Sequence, residues 1–174
     1  NNQKFAMAIC VLFALVLSSL SLKSNAITVL RSTQNLLQLR ISTGFSKFEA
    51  ININGDNYLM PNFSEAFLNI NEQNQGAPAE YRLSQVFNVP GEKHFRVSDF
   101  KILKSTKQYG VLAPNPQLST TEIIYHPNLD KYSDYIAREI LEIEYRGIAA
   151  GYHLAAISLN PVRYDYNSNS IEII

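Results

Sequence analysis

Short runs of apolar residues separated by polar turn segments dominate the chain from residue 36 onward. Leu36 to Ile41 is the first clear run, and Phe48 to Asn54 alternates between apolar and polar residues. Alternation with a period of two is typical of a strand with one buried face. Asn54-Gly55-Asp56 separates the second run from Tyr58-Leu59-Met60. We predict a tight hairpin there, because Asn and Gly both tolerate positive φ.

The same pattern continues to the end of the chain. Residues 71–80 and Gln117 to Thr121 are polar and predict exposed loops. From Tyr132 to Tyr145 the apolar residues could form one face of a helix or one face of a strand whose other face is charged. The pattern does not decide between the two. Predicted strands are Arg82 to Val89, His94 to Leu103, Gly151 to Leu159 and Ser170 to Ile174, with a short one at Thr121 to Tyr125.

The spacing of these elements predicts the fold class. There is no internal repeat or heptad pattern, and turn residues such as Pro90-Gly91 and Tyr166-Asn167-Ser168-Asn169 separate the strands. Regularly spaced short strands with little helix are typical of antiparallel all-β architectures. We therefore expect a mainly β fold, an antiparallel β-sandwich or jelly-roll-like single domain.

The first 26 residues have a different pattern, which predicts export. Lys4 precedes ten apolar residues, Ala8 to Leu17, and Ser24 and Ala26 are small residues three and one before a cleavage point. The apolar run is shorter than the roughly 20 residues that span a bilayer, although an uncleaved anchor is the alternative. We predict a signal peptide over residues 1–26, cleavage between Ala26 and Ile27, and one mature domain over residues 27–174. The mature protein would be periplasmic, at the outer-membrane surface or secreted.

Charge and cysteine content narrow the function classes. The chain has 15 basic and 15 acidic residues, and because Lys4 and Lys23 lie in the signal, the mature domain has 13 basic and 15 acidic residues. This balance argues against a nucleic-acid partner, which requires a basic stripe. The only cysteine, Cys10, also lies in the signal. The mature domain therefore has no disulfide and no thiolate nucleophile.

Recognisable catalytic or metal-binding motifs are missing from the sequence. His94, His126 and His153 are far apart and do not have the spacing of zinc ligands. Asp130 and Asp134 are four residues apart but lack the dense oxygen donors of a calcium loop. There is no nucleophile elbow and no phosphate-binding loop. We predict no catalytic, metal or cofactor site, and no enzymatic activity of the chain by itself.

Several segments follow one another in the order of a known family. They are Gly76-Ala77-Pro78, Phe87-Asn88-Val89-Pro90, Val111-Leu112-Ala113-Pro114, Tyr145-Arg146-Gly147 and the run from Leu154 to Asn167 that contains Pro161 and Tyr164. Over residues 34–174 this order resembles the N-terminal propeptide of the gingipain family of cysteine peptidases (family C25). These peptidases belong to Bacteroidota that use the type IX secretion system. A PorU-like secretion sortase has a similar N-terminal domain.

The resemblance implies a prodomain that assists folding and keeps a downstream or cognate cysteine peptidase domain latent during export. The outer-membrane secretion machinery would be a further partner. The catalytic His and Cys would lie beyond Ile174, so the domain is expected to be truncated at its C-terminal end. The positions that match structural motifs of the family are Gly76, Pro78, Arg146, Gly147, Pro161 and Tyr164.

The family places a basic side chain in the loop that follows its Ala-Pro step. Here that loop, Asn115 to Thr121, contains no Lys or Arg, and the second proline of the family's Gly-x-Pro loop is replaced at Tyr81. We therefore interpret latency as burial of the peptidase surface, not as insertion of a basic plug. The candidate inhibitory loop consists of Pro114, Gln117, Leu118, Ser119, Thr120 and Thr121.

A binding module of another class is the alternative. The chain has ten Tyr and nine Phe residues, and aromatic rings stack on the apolar faces of sugars. A freestanding, secreted carbohydrate- or surface-binding β-sandwich would use exposed aromatics such as Tyr125 or Tyr132.

Overall fold

The computed structural model describes residues 26–33, 36–89, 97–119 and 122–174. The predicted signal peptide up to residue 25 therefore lies outside the described residues. Within the described ranges no helix is long and apolar enough to cross a membrane.

Thirteen strands and one short helix form in the described ranges. They are β1 (Ile27–Ser32), β2 (Leu37–Ile41), β3 (Phe45–Ile53), β4 (Asp56–Phe63), β5 (Phe67–Leu68), β6 (Tyr81–Val89), β7 (Thr106–Tyr109), β8 (Gln117–Leu118), β9 (Ile123–Ile124), α1 (Leu129–Ser133), β10 (Leu141–Ala149), β11 (Tyr152–Leu159), β12 (Val162–Asp165) and β13 (Ser170–Ile173).

The strands form antiparallel sheets of two to four strands. One sheet has the order β10-β11-β6-β5, a second has the order β12-β13-β7, and β1-β2, β3-β4 and β8-β9 form two-stranded sheets. Each of these strand pairs is antiparallel. The mainly β, antiparallel fold class expected from the sequence is confirmed.

The hairpin predicted at Asn54-Gly55 is present. β3 and β4 are in register up to the pair Ile53 and Asp56, which leaves two residues in the turn. Asn54 has φ of 56° and Gly55 has φ of 97°. Positive φ at both central residues is the geometry of a type I′ turn, whose twist matches that of the flanking strands.

The five residues Leu112 to Pro116, hereafter the central segment, are almost completely inaccessible to solvent. Their backbone is paired on two sides. The Ala113 N–H donates to the Leu59 carbonyl of β4 at 2.8 Å, and on the other side the Ala113 carbonyl accepts from the Ala79 N–H at 2.8 Å. The Asn115 N–H donates to the Ala77 carbonyl at 2.7 Å. Since a buried backbone group without a partner is costly, these pairings are what allow an irregular segment to occupy the core.

Two tyrosines complete the surroundings of the central segment. The Tyr132 hydroxyl of α1 donates to the Leu112 carbonyl at 2.6 Å, and the Tyr164 hydroxyl of β12 donates to Asn169 Oδ1 at 3.0 Å. The two rings meet edge to face with centroids 6.0 Å apart. The side chain of Asn128 caps α1 by accepting from two backbone N–H groups, which sets the start of the helix and directs Tyr132 inward.

One strand predicted from the local pattern was wrong. Residues 97–103 of the strand predicted at His94 to Leu103 are irregular and exposed, whereas residues 94–96 lie outside the described ranges. The strand forms later, as β7, whose mostly exposed residues pair with β13. β7 is held by backbone hydrogen bonds to a neighbour, and such pairing does not require an apolar pattern.

The stretch from Tyr132 to Tyr145, for which both a helix and a strand were left open, contains part of each. The helix α1 begins earlier, after Asn128, and β10 begins at Leu141, with irregular backbone between them. Likewise, the loop predicted at Gln117 to Thr121 begins as the two-residue strand β8. β1 and β12 were not predicted from the sequence.

The buried tyrosines make alkaline pH a test of this core. Burial raises the pKa of Tyr132, and it raises the pKa of Tyr164 to about 12. Because both values lie above the unfolded value of about 10, the neutral phenols stabilise the fold below about pH 10, and this stabilisation is lost as pH rises further. We expect the Tyr164 contribution to fall by on the order of 2 kcal/mol by about pH 12.

Urea denaturation at increasing pH measures this loss, and Tyr164→Phe is the matched variant. The variant should be less stable at neutral pH but should lose less stability across the alkaline range. Parallel pH profiles for the two proteins would show that Tyr164 does not titrate in this way.

Candidate functional site

The candidate inhibitory loop is a short β-hairpin, β8–β9, that emerges directly from the central segment. Leu118 pairs with Ile123, and the Ser119 N–H donates to the Glu122 carbonyl at 3.0 Å. Leu118 is 58% exposed and Ile123 is 60% exposed. The predicted contact residues Thr120 and Thr121 lie outside the described residues. The described part of the hairpin presents two apolar side chains to solvent.

The base of this hairpin is anchored in the core. Pro114 is fully buried and forms an isolated bridge with Pro78, so two residues singled out by the sequence meet in space. Pro114 therefore cannot contact a partner directly, which corrects its inclusion among the contact residues. Gln117, Leu118 and Ser119 are exposed. Because backbone hydrogen bonds hold its base, such a hairpin would lose little conformational freedom on binding a partner.

Gly76 links the hairpin base to α1. Its N–H donates to the Asn115 carbonyl at 2.9 Å, and its carbonyl accepts from the Asn128 N–H at 2.9 Å. Lys131 of α1 adds two bonds, from Nζ to the carbonyls of Gln73 (2.9 Å) and Gln75 (2.8 Å). The loop predicted at residues 71–80 is therefore irregular but firmly attached to its neighbours.

The described residues line at least two clefts. The first, of about 390 Å³, lies beside the hairpin and is largely polar, with lining residues Glu72, Gln75, Gly76, Asn115, Gln117, His126, Pro127, Asn128 and Lys131. The second, of about 330 Å³, we call the tyrosine cleft; it is lined by Asp56, Asn57, Tyr58, Val111, Leu129, Tyr132, Tyr166 and Asn169. The sequence pattern does not indicate the tyrosine cleft, because its residues come from four separate parts of the chain.

The remaining motif residues lie outside the hairpin base. Gly147, at φ of 92°, occupies the bulge where the β10–β11 register shifts. Arg146 is exposed and forms an ion pair with Glu144 at 2.9 Å. Pro161 is buried, and its carbonyl accepts from the Ile174 N–H at 3.0 Å. With Tyr164 in the core, most of these positions support the fold and do not form a common surface.

The other residues considered for chemistry are dispersed. His126 lines the polar cleft, His153 Nδ1 lies 2.7 Å from the Tyr145 hydroxyl, and His94 is outside the described residues. Asp130 lies in the first turn of α1, and Asp134 follows its last residue. Within the described part of the chain, no group of three or more His, Cys, Asp or Glu residues could hold a metal ion.

The aromatic residues proposed for carbohydrate binding differ in exposure. Tyr125 is half-buried, but Tyr132 is only 1% exposed and its hydroxyl is bonded to Leu112. Stacking on a sugar requires an accessible ring face. The expectation that Tyr132 is a surface aromatic was therefore wrong.

Two solved structures share the fold of this chain. A structure that gives insight into the zymogenic latency of gingipain K from Porphyromonas gingivalis matches with a TM-score of 0.57 and 18% identity, over 84% of this chain and 85% of that chain. A chain from the complex of the pro- and mature domains of RgpB from the same organism matches with a TM-score of 0.65 and 18% identity. This match covers 87% of the present chain and 81% of the RgpB chain. No protein-family model and no curated protein matches the sequence. The chain therefore has a gingipain-propeptide-like fold.

Substitution of Gly76 tests the link between the hairpin base and α1. Gly76 has φ of +75°, and an added Cβ would lie 2.7 Å from the His126 carbonyl oxygen. Gly151 has φ of +82°, but an added Cβ there would meet nothing within 4 Å. We expect Gly151→Ala to destabilise by about 1 kcal/mol through backbone strain alone. Gly76→Ala should destabilise by about 3 kcal/mol because it adds a backbone clash to the strain.

Free energies of unfolding from urea titrations give this comparison directly. Equal losses for the two variants would mean that the loop around Gly76 shifts readily, contrary to the close packing described above.

Proposed function

We propose that this chain contains the N-terminal prodomain of a secreted C25-type cysteine peptidase precursor, which assists folding and keeps the downstream or cognate peptidase latent. The observation that carries the proposal is the fold likeness to gingipain prodomains over more than four fifths of each chain. One of these structures contains a prodomain in complex with its mature domain. In this proposal the chain is the non-catalytic part of the precursor.

The hairpin β8–β9 is the proposed contact with the peptidase. Leu118 and Ile123 expose apolar surface on a hairpin that begins where the buried central segment ends. Apolar side chains at the centre of an interface contribute most when they enter a pocket and exclude water. A rigid base keeps them in position before binding.

The composition of this hairpin favours occlusion of the active site by an apolar side chain. Residues 115–121 contain no Lys or Arg, so no cation is offered to a specificity pocket that prefers basic residues. Leu118 offers an aliphatic side chain instead. The parent peptidase would then differ in specificity from one that cleaves after basic residues, and a PorU-like sortase is one such relative.

Export is the other part of the proposal. Cleavage between Ala26 and Ile27 would start the mature chain at the first residue of β1. It would remove the hydrogen bond in which the Ala26 carbonyl accepts from the Ser42 N–H at 2.7 Å, but would retain the buried Ile27 side chain. The mature protein would then be periplasmic, surface-located or secreted, in contact with the outer-membrane secretion machinery.

Inhibition in trans tests the proposal. The purified chain is added to the active C25-type peptidase of the same organism, and the inhibition constant is measured. We expect saturable inhibition, and we expect Leu118→Asp to weaken it by about tenfold or more, because a charge would be buried at the contact. The thermal midpoint should change little, since Leu118 is largely exposed.

Ile148→Asp is the matched control, because Ile148 is also an apolar strand residue and is 59% exposed. It lies on β10 and should leave inhibition unchanged. Absence of inhibition by the unmodified chain would contradict the proposed function. If both variants inhibit equally well, the function stands but the hairpin is not the contact.

A further inference from the structure

The tyrosine cleft has the features of a binding site, and it lies on elements other than the proposed inhibitory hairpin. Asp56 begins β4, Val111 precedes the central segment, Leu129 begins α1, and Tyr166 and Asn169 belong to the turn between β12 and β13. Four chain segments therefore converge on one concave surface of about 330 Å³. Concave surfaces with a few convergent polar groups are the usual form of a ligand site.

One of the residues that line this cleft carries a negative charge. Asp56 is the only Asp, Glu, Lys, Arg or His residue that lines it. None of the four ion pairs formed by the described residues includes Asp56. The pKa of Tyr58 is raised mainly by burial of its ring, and the negative charge of Asp56 is a second, smaller cause. The cleft thus offers an exposed carboxylate that forms no ion pair with another described residue.

An amide oxygen adds a further acceptor. Asn169 Oδ1 accepts from the Tyr164 hydroxyl at 3.0 Å. This bond orients the amide, and its carbonyl oxygen has a second lone pair with which to accept from a ligand. The cleft is therefore suited to a ligand with many N–H donors.

The walls of the cleft are apolar and partly open. Leu129 is 68% exposed and Tyr166 is 38% exposed, whereas Tyr132 is fully buried behind them. The Tyr166 ring is held edge to face against Tyr132, with centroids 6.3 Å apart. An aliphatic residue and an ordered tyrosine ring form the kind of surface on which the methylene stem of a long cationic side chain packs.

We propose that the tyrosine cleft binds an arginine side chain presented by a partner polypeptide. The guanidinium group supplies five N–H donors in a planar fork, pairs with carboxylates, and stacks on aromatic rings. A sugar is less well matched, since of the three tyrosines only Tyr166 has a substantially exposed ring. Charge complementarity to Asp56 therefore identifies the ligand as cationic.

A short peptide with a central arginine is the probe, and the same peptide with citrulline is its matched neutral control. Titration into the isotopically labelled chain, followed by NMR, reports binding at Tyr166 and Tyr58. We expect saturable shifts of these residues with the arginine peptide and an affinity about fivefold lower with citrulline. Asp56→Asn should lower the arginine affinity by about fivefold, and added salt should lower it in the unmodified chain.

Asp99→Asn is the control variant, because it changes the net charge equally at an exposed residue that does not line the cleft. It should leave the affinity unchanged. Equal binding of the two peptides, or undiminished binding by Asp56→Asn, would overturn the proposal. Preferential binding of a neutral oligosaccharide at Tyr166 would assign the cleft to carbohydrate and would also overturn it. No peptidase is present in this experiment, so its outcome is independent of the proposed latency function.

Discussion

Complete burial of the central segment is the constraint on which the rest of the described structure depends. Leu112 to Pro116 has no continuous sheet on either side, yet its backbone is inaccessible to solvent. β4 supplies hydrogen-bond partners on one side, and the residues before β6 supply them on the other. The Tyr132 hydroxyl donates to the Leu112 carbonyl. Because each unpaired group in the core would cost free energy, these elements must assemble together.

This constraint also connects the core to the candidate interface. The hairpin β8–β9 begins immediately after Pro116, so its position is set by packing in the core. Gly76 connects the central segment to the start of α1, because its N–H donates to the Asn115 carbonyl and its carbonyl accepts from the Asn128 N–H. The start of α1 in turn brings Leu129 to the tyrosine cleft. The hairpin and the cleft are thus two surfaces supported by one buried segment.

A fold shared at 18% identity with gingipain prodomains is understandable in these terms. The residues that determine the backbone path are few and chemically specific. Gly147 permits the bulge in β10, Gly76 permits a close approach of two chain segments, and Asn54-Gly55 permits a two-residue turn. Strand residues between such points tolerate exchange as long as the apolar face is maintained.

The sequence by itself determined the local features of this protein. The antiparallel β class and the turn at Asn54-Gly55 follow from φ preferences and alternation, which act over a few neighbouring residues. Tertiary structure decided the rest. β7 lacks an apolar pattern and forms because β13 offers hydrogen bonds, and Tyr132 is buried because its ring packs against Tyr164 and its hydroxyl donates to the Leu112 carbonyl. The tyrosine cleft joins residues more than a hundred positions apart, and no local preference encodes such proximity.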